Sequence, residues 1–131
     1  LLASVSADKT LRFWNVEDGS LRESSTSING EAPPEDSKAD PKQQHTAGIN
    51  DVAWNCNSRY VATASDDLTA KIWDVETQTC LTTFTGHTNY VFCCQFNPNG
   101  TILVSFQQWL LLCQYPAFAG GTGPCTSQNC S

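Results

Sequence analysis

The sequence predicts an all-β fold assembled from repeated antiparallel hairpins, and three observations carry that expectation. Val61 to Val75, V-A-T-A-S-D-D-L-T-A-K-I-W-D-V, reads as two β-type runs around an Asp-Asp turn. Thr and Val favour a pleated backbone, and Asp favours a tight turn between strands. The same stretch recurs 59 positions earlier, from Leu2 to Val16, where Ala3, Ser6, Asp8, Thr10, Trp14 and Val16 match Ala62, Ser65, Asp67, Thr69, Trp73 and Val75. A second offset, of 42, relates His45-Thr46 to His87-Thr88, Ile49 to Val91, Trp54 to Phe96 and Asn55 to Asn97. One hairpin cannot bury its own faces, so repetition at this period points to an array of stacked, blade-like sheets.

The chain divides accordingly. Residues 1–28 form the end of one blade: two strands within Leu1 to Val16, a turn at Glu17-Asp18-Gly19, and a weakly apolar outer strand from Ser20 to Ile28. Residues 29–44, N-G-E-A-P-P-E-D-S-K-A-D-P-K-Q-Q, are rich in Pro and charge and predict a solvated, disordered acidic insertion between blades. Residues 45–85 form a complete blade, with strands at Ile49 to Trp54, Arg59 to Ser65, Lys71 to Val75 and Cys80 to Phe84. Residues 86–105 open the next blade, with an N-P-N-G turn in which Pro presets φ and Gly accepts positive φ. Over residues 106–131 the pattern is lost: at a constant offset Trp109 stands where Asp67 should recur and Tyr115 stands at the Trp position. That loss predicts a divergent tail, disordered or out of frame, with the reading frame shifting or an intron read through near Ser105.

Length and composition limit what the chain does. The 131 residues hold the end of one blade, one whole blade and the start of a third. A closed propeller needs at least four blades of about 40–45 residues each, so an open fragment is expected. The net charge of −6 argues against direct binding to nucleic acid, which needs clustered Lys and Arg, but is compatible with a basic peptide. No run of 18 apolar residues is present, so no membrane helix is expected. The seven cysteines lack C-x-x-C spacing or His partners for a metal, and Gly120-Gly121-Thr122-Gly123 lacks the Lys of a phosphate loop. No cofactor or metal is expected. No Cys or His has an assigned base or oxyanion site, so no catalytic residue is assigned and the chain reads as a non-enzyme.

Gly86-His87 followed by a strand, together with S-x-D-x-T-x-K-I-W-D ending at Asp74, resembles the WD40 repeat, a family that builds β-propellers. The resemblance implies a buried network of His45, Ser65 or Thr63, Asp67 and Trp73, with counterparts at Asp8, Trp14 and His87. An ionised carboxylate would accept from imidazole N–H, and hydroxyl and indole N–H would close the circuit. The combination of I-N-D-V-A-W, S-D-D-x-T and G-H-T-N-Y-V-F-C-C-Q-F-N-P over Leu1 to about Ser105 further resembles adaptors of the WD-repeat protein five type. These serve SET-domain histone methyltransferase complexes of the COMPASS or trithorax group.

That second resemblance implies a nuclear, non-enzymatic scaffold. Its partners would be the SET-domain methyltransferase, associated complex subunits and the histone H3 tail. An arginine side chain would enter the channel mouth, clamped by aromatic rings. Phe92 would be a clamping aromatic flanked by Tyr90 and Cys93, with Asp66 at the rim and Gly48 and Asn50 on the mouth loop, where the family usually has Ser in place of Asn50. The second clamping ring would lie in a later blade. Two other readings stand beside this one. One is a different WD40 scaffold, such as a ubiquitin-ligase substrate receptor or an RNA-processing subunit; the other is a truncated product with no autonomous function.

Overall fold

A computed structural model describes residues 1–22, 44–108, 110–114 and 124–125, the last two stretches as backbone. The described residues are all-β, in three antiparallel sheets. The first sheet pairs β1 (Leu2–Val5) with β2 (Leu11–Trp14), and a single bridge joins Trp14 to Leu21. The second has β3 (Ile49–Trp54), β4 (Tyr60–Ser65), β5 (Ala70–Asp74) and β6 (Cys80–Phe84) in sequence order. The third has β7 (Val91–Phe96), β8 (Leu103–Gln107), β9 (Leu110–Gln114) and β10 (Pro124–Cys125), also in sequence order. These are successive propeller blades that do not close into a ring. The acidic insertion and most of the expected outer strand from Ser20 lie outside the described residues.

The repeat extends to the backbone. Lys9 and Leu68, which occupy matched turn positions, both have φ near +70°. Ser58 and Gly100, 42 positions apart, also share positive φ, at 58° and 68°. Each innermost strand carries one bulge at the same place, between Ile49 and Asp51 in β3 and between Val91 and Cys93 in β7. A bulge adds one residue to one strand and resets which face later side chains point to. Asn50 and Phe92 are therefore the paired extra residues of the two blades.

The core lies between sheets. Leu11 and Phe13 of the first blade, with Ala3 and Val5, pack on Ile49, Val61, Trp73 and Val75 of the second. The opposite face of the second blade offers Ala53, Ala62, Ala64, Ala70 and Ile72 to Val91, Cys94, Phe96 and Leu103 of the third. Alanines on one side let the larger side chains of the next sheet approach closely, which is how stacked sheets exclude water. Polar contacts set the relative position of the second and third blades. Cys94 N donates to Asp51 Oδ2 at 3.0 Å, and Asn55 Nδ2 donates to the Gly100 carbonyl at 2.9 Å. A Cβ on Gly100 would stand 2.5 Å from Asn55 Oδ1, so this junction requires glycine for both its φ and its space.

Strand pairing does not stop at Ser105. β8 runs to Gln107, and β9 pairs with it from Gln107↔Leu110 to Leu103↔Gln114. Alternating V-S-F-Q and the apolar L-L-L-C suit a strand pair despite the lost motif. The expectation that blade structure ends at residue 105 is corrected for residues 106–108 and 110–114; the rest of the tail lies outside the described residues.

Candidate functional site

Two kinds of site emerge from these blades: buried polar circuits that hold each hairpin, and a polar surface at the bulged ends of β3 and β7. In the second blade the circuit runs in one direction. Trp73 Nε1 donates to Thr63 Oγ1 at 2.9 Å, and Thr63 Oγ1 lies 2.6 Å from His45 Nε2. His45 Nδ1 is 2.7 Å from Asp67 Oδ2. Because an ionised carboxylate only accepts, Nδ1 carries the proton, and in the neutral ring Nε2 then accepts from the threonine hydroxyl. Burial pushes the Asp67 carboxyl up, but hydrogen bonds from His45, Thr69 and the Thr46 amide outweigh it and hold the group well below the usual carboxylate range. Asp67 also accepts both the amide and the hydroxyl of Thr69, which closes the turn.

The hydroxyl at the centre of the circuit is Thr63, not Ser65. Ser65 is buried beside it and ties the turn to the loop before β3 instead. Its Oγ donates to the Gly48 carbonyl at 2.8 Å and accepts from Asp67 N at 3.1 Å. The cross-strand register explains the difference: Trp73 pairs with Val61, and Thr63, two residues on along the same face, is the hydroxyl within reach of the indole across the β4–β5 pair. The first blade repeats the arrangement: Trp14 Nε1 donates to Ser4 Oγ at 2.8 Å, and Asp8 Oδ1 accepts the amide and hydroxyl of Thr10. Hydrogen bonding from Thr10, which exceeds the opposing effect of desolvation, draws the exposed Asp8 carboxyl down to about 2.

In the third blade Gln107 takes the place of the missing aspartate. His87 Nε2 is 2.7 Å from Ser105 Oγ, and His87 Nδ1 is 2.9 Å from Gln107 Oε1. Thr88 N and Asn89 N also donate to that oxygen, as Thr46 N does to Asp67. The matched offset puts Gln107 opposite Ser65, two positions before the expected residue. Two residues separate Gln107 from its partner Leu110, whereas three separate Ser65 from Thr69, whose carbonyl it binds. The shorter turn removes the site for an aspartate, and the longer glutamine side chain reaches back to the histidine from the strand itself. Burial lowers the His87 pKa, against the raising effect of its bond to Gln107, and keeps the ring neutral. Constant-offset alignment could not find Gln107; a His followed 20 residues later by an amide on a strand is the signal that could have.

The second site lies where β3 meets β7. Asn50 Nδ2 donates to Asp66 Oδ1 at 2.6 Å and to the Val91 carbonyl at 3.0 Å, bridging the two blades. Asp66 N in turn donates to the Gly48 carbonyl at 3.0 Å. A Cβ on Gly48 would come within 3.2 Å of the Ala7 backbone, so the small residue lets the first blade approach the loop before β3. The structure thus joins Gly48, Asn50 and Asp66 through hydrogen bonds, and Phe92 follows the Val91 carbonyl that Asn50 holds. Phe92 is 47% exposed and Tyr90 52% exposed. Cys93 is exposed, and partial burial together with Asp51 pushes its thiol pKa up, so it stays protonated. The inter-blade roles of Asp51 and Asn55, which hold β7 and the Gly100 turn, are not legible in the sequence alone, because their partners lie in the next blade. Among the described residues no group of His, Cys, Asp and Glu is placed to hold a metal, and no helix is long and apolar enough to cross a membrane.

A family model described as "WD domain, G-beta repeat" matches residues 41–74 and 78–106. Over 101 residues, 73% of this chain and 9% of the relative, the sequence is 33% identical to coatomer subunit beta'-1 of Arabidopsis thaliana. It is 49% identical over 47 residues, 36% of this chain and 7% of the relative, to the probable E3 ubiquitin ligase complex SCF subunit sconB of Aspergillus clavatus. With nuclear distribution protein PAC1 of Arthroderma benhamiae it shares 30% identity over 102 residues, 76% of this chain and 18% of the relative. The chain thus spans 7% to 18% of the length of these relatives. They differ in named role and share the repeat, so the finer likeness to methyltransferase adaptors does not follow from them. With its His–hydroxyl–Trp circuits and stacked four-stranded blades, the chain carries WD40 repeats at residues 41–74 and 78–106, and these segments belong to that family.

Proposed function

We propose that the chain is part of a non-enzymatic WD40 scaffold whose bulged surface receives an arginine-containing peptide. On this reading it serves as an adaptor of a histone H3 lysine methyltransferase complex in the nucleus, binding the H3 tail and the SET-domain subunit. The observation that supports it most is the half-exposed Phe92 ring on the β7 bulge, next along the chain to the Val91 carbonyl that Asn50 binds while it also orients the Asp66 carboxylate. A guanidinium stacks on an aromatic face and donates in plane to a carboxylate, whereas a lysine ammonium lacks the flat, forked donor set. Among the described residues Asp66 Oδ2 accepts no hydrogen bond, so one carboxylate oxygen is free for such a fork. Net charge of −6 favours a basic peptide over nucleic acid.

The test is a titration of the isotope-labelled chain with an H3 amino-terminal peptide, followed by amide chemical shifts. Shifts are expected at Asn50, Asp66 and Phe92, lost when the peptide arginine becomes lysine. Phe92→Ala is expected to weaken binding by about tenfold, the equivalent of roughly 1.4 kcal/mol. Equal response to the lysine peptide, or full affinity in Phe92→Ala, would contradict the reading. A second reading, a substrate receptor of a ubiquitin ligase, has the 49% identity to the SCF subunit in its favour. It calls for a ligand indifferent to that arginine.

A further inference from the structure

The chain has two histidines, and they close matched circuits on different partners. His45 Nδ1 bonds a carboxylate, Asp67, whereas His87 Nδ1 bonds an amide oxygen, Gln107 Oε1. The other contacts correspond. Nε2 meets a buried hydroxyl in each circuit, Thr63 or Ser105, and the acceptor also takes backbone N–H groups, from Thr46 or from Thr88 and Asn89. A proton added to His45 stands against an ionised carboxylate. One added to His87 meets only dipoles. The Ser105 hydroxyl can turn to accept from the new N–H, so no hydrogen bond need break; the cost is a buried charge without a counter-ion.

Nothing around His87 supplies that counter-ion. No Asp, Glu, Lys or Arg occurs after Glu76. Leu103, Ser105 and Gln107 share one face of β8, where Gln107 pairs with Val91, and Leu103 and Val91 pack on the second sheet. The circuit is therefore covered by the second blade. On the elements packed there, the charged groups are already engaged. Asp51 of β3 accepts from Cys94 N, and Asp66, after β4, accepts from Asn50. Lys71 alternates with Ala70 and Ile72 on β5, so it lies on the opposite face, where it donates to Thr83. The remaining titratable groups are thiols and phenols: Cys93 and Cys94 on β7, Cys113 on β9, and Tyr60 and Tyr90 on β4 and the loop before β7. Such groups bring no negative charge at acidic pH. Among the described residues none of these side chains bonds His87.

We propose that His87 is an acid-sensitive latch: its protonation releases the third blade from the second, while the carboxylate-backed circuit of the second blade stays closed. Burial holds the His87 pKa below its ordinary value of 6.5, against the raising effect of the bond to Gln107. The unfolded segment therefore binds the proton more readily than the folded one. The stability this circuit contributes is present above the ordinary value and is lost as the pH falls below it. Asp67 stays ionised through that range, because hydrogen bonds from His45 and Thr69 outweigh its burial. Release undoes the contacts that Asn50 makes with the Val91 carbonyl and Asp51 with Cys94 N, which join the two blades.

Hydrogen exchange of the full chain at about pH 7.5 and about pH 5 tests the proposal, with each rate divided by that of an unstructured peptide at the same pH. Protection over residues 91–96 and 103–107 should fall by about tenfold or more on acidification, while protection over 60–65 and 70–74 holds. Gln107→Glu, which returns a carboxylate to the position opposite His87, should keep the third sheet protected at both pH values. A proton NMR titration of the His87 ring gives an independent reading, with a midpoint expected below 6.5. A third sheet that acid leaves unchanged would overturn the proposal, as would equal loss in both sheets or a His87 midpoint at or above the ordinary value. So would an acid response undiminished in Gln107→Glu.

Discussion

Thr63→Val is expected to destabilise the chain by roughly 2–4 kcal/mol, although it exchanges one β-branched side chain for another of similar shape. The hydroxyl is fully buried, accepts from Trp73 Nε1 at 2.9 Å and contacts His45 Nε2 at 2.6 Å. Valine leaves an indole N–H and an imidazole nitrogen buried without partners, and each such group costs about 1–3 kcal/mol. The His45–Asp67 bond would also lose the opposing contact that orients the ring. Thr63→Ser is the control supplied by the protein itself, since Ser4 and Ser105 make the matching contacts in the other blades. It should cost well under half as much. Urea unfolding followed by tryptophan fluorescence reads the difference; a valine variant as stable as the serine variant would show that the circuit contributes nothing net.

Phe13→Ala should have an effect at least as large, about 3–5 kcal/mol by the usual cost of emptying an aromatic core site. Phe13 is 2% exposed and meets Trp54 edge-on, with ring centroids 6.1 Å apart and planes at 62°. It and Leu11 are the large side chains the first blade contributes to the junction, so truncation removes most of what holds that blade. The loss should be local. The first sheet is expected to open while the second and third remain stacked through Ala62, Ile72, Val91 and Leu103. Hydrogen exchange should accelerate over residues 2–14 and change little over 60–74. Uniform acceleration along the whole chain would mean that the three sheets unfold as one unit.

Much of this architecture is legible in the residues. The strand runs from Ile49 to Phe84 follow β-type runs and turn residues closely, and the 59- and 42-residue offsets predict which hydrogen bonds recur. Asp8 with Thr10 and Asp67 with Thr69 are the clearest case. Three features were not legible, each for a physical reason. Thr63 and Ser65 have similar hydroxyls on neighbouring same-face positions, and only the cross-strand register decides which one meets Trp73. Gln107 escaped because a turn shorter by one residue breaks any constant-offset alignment. The bulges at Asn50 and Phe92 carry no sequence mark of their own, yet they decide which side chains leave the core for the surface. The polar surface where β3 meets β7 therefore needed the fold before its residues could be set beside one another.

The central claim is that one hydrogen-bonding and packing plan repeats through all three sheets, and that the third keeps it with Gln107 in place of aspartate. Hydrogen exchange of the unmodified chain, resolved by peptide mass spectrometry, tests this most directly. Strong protection is expected over residues 60–65 and 70–74, and protection of the same order over 91–96, 103–107 and 110–114. Immediate exchange from residue 103 onward, beside a protected second sheet, would contradict the account and restore Ser105 as the point where blade structure ends.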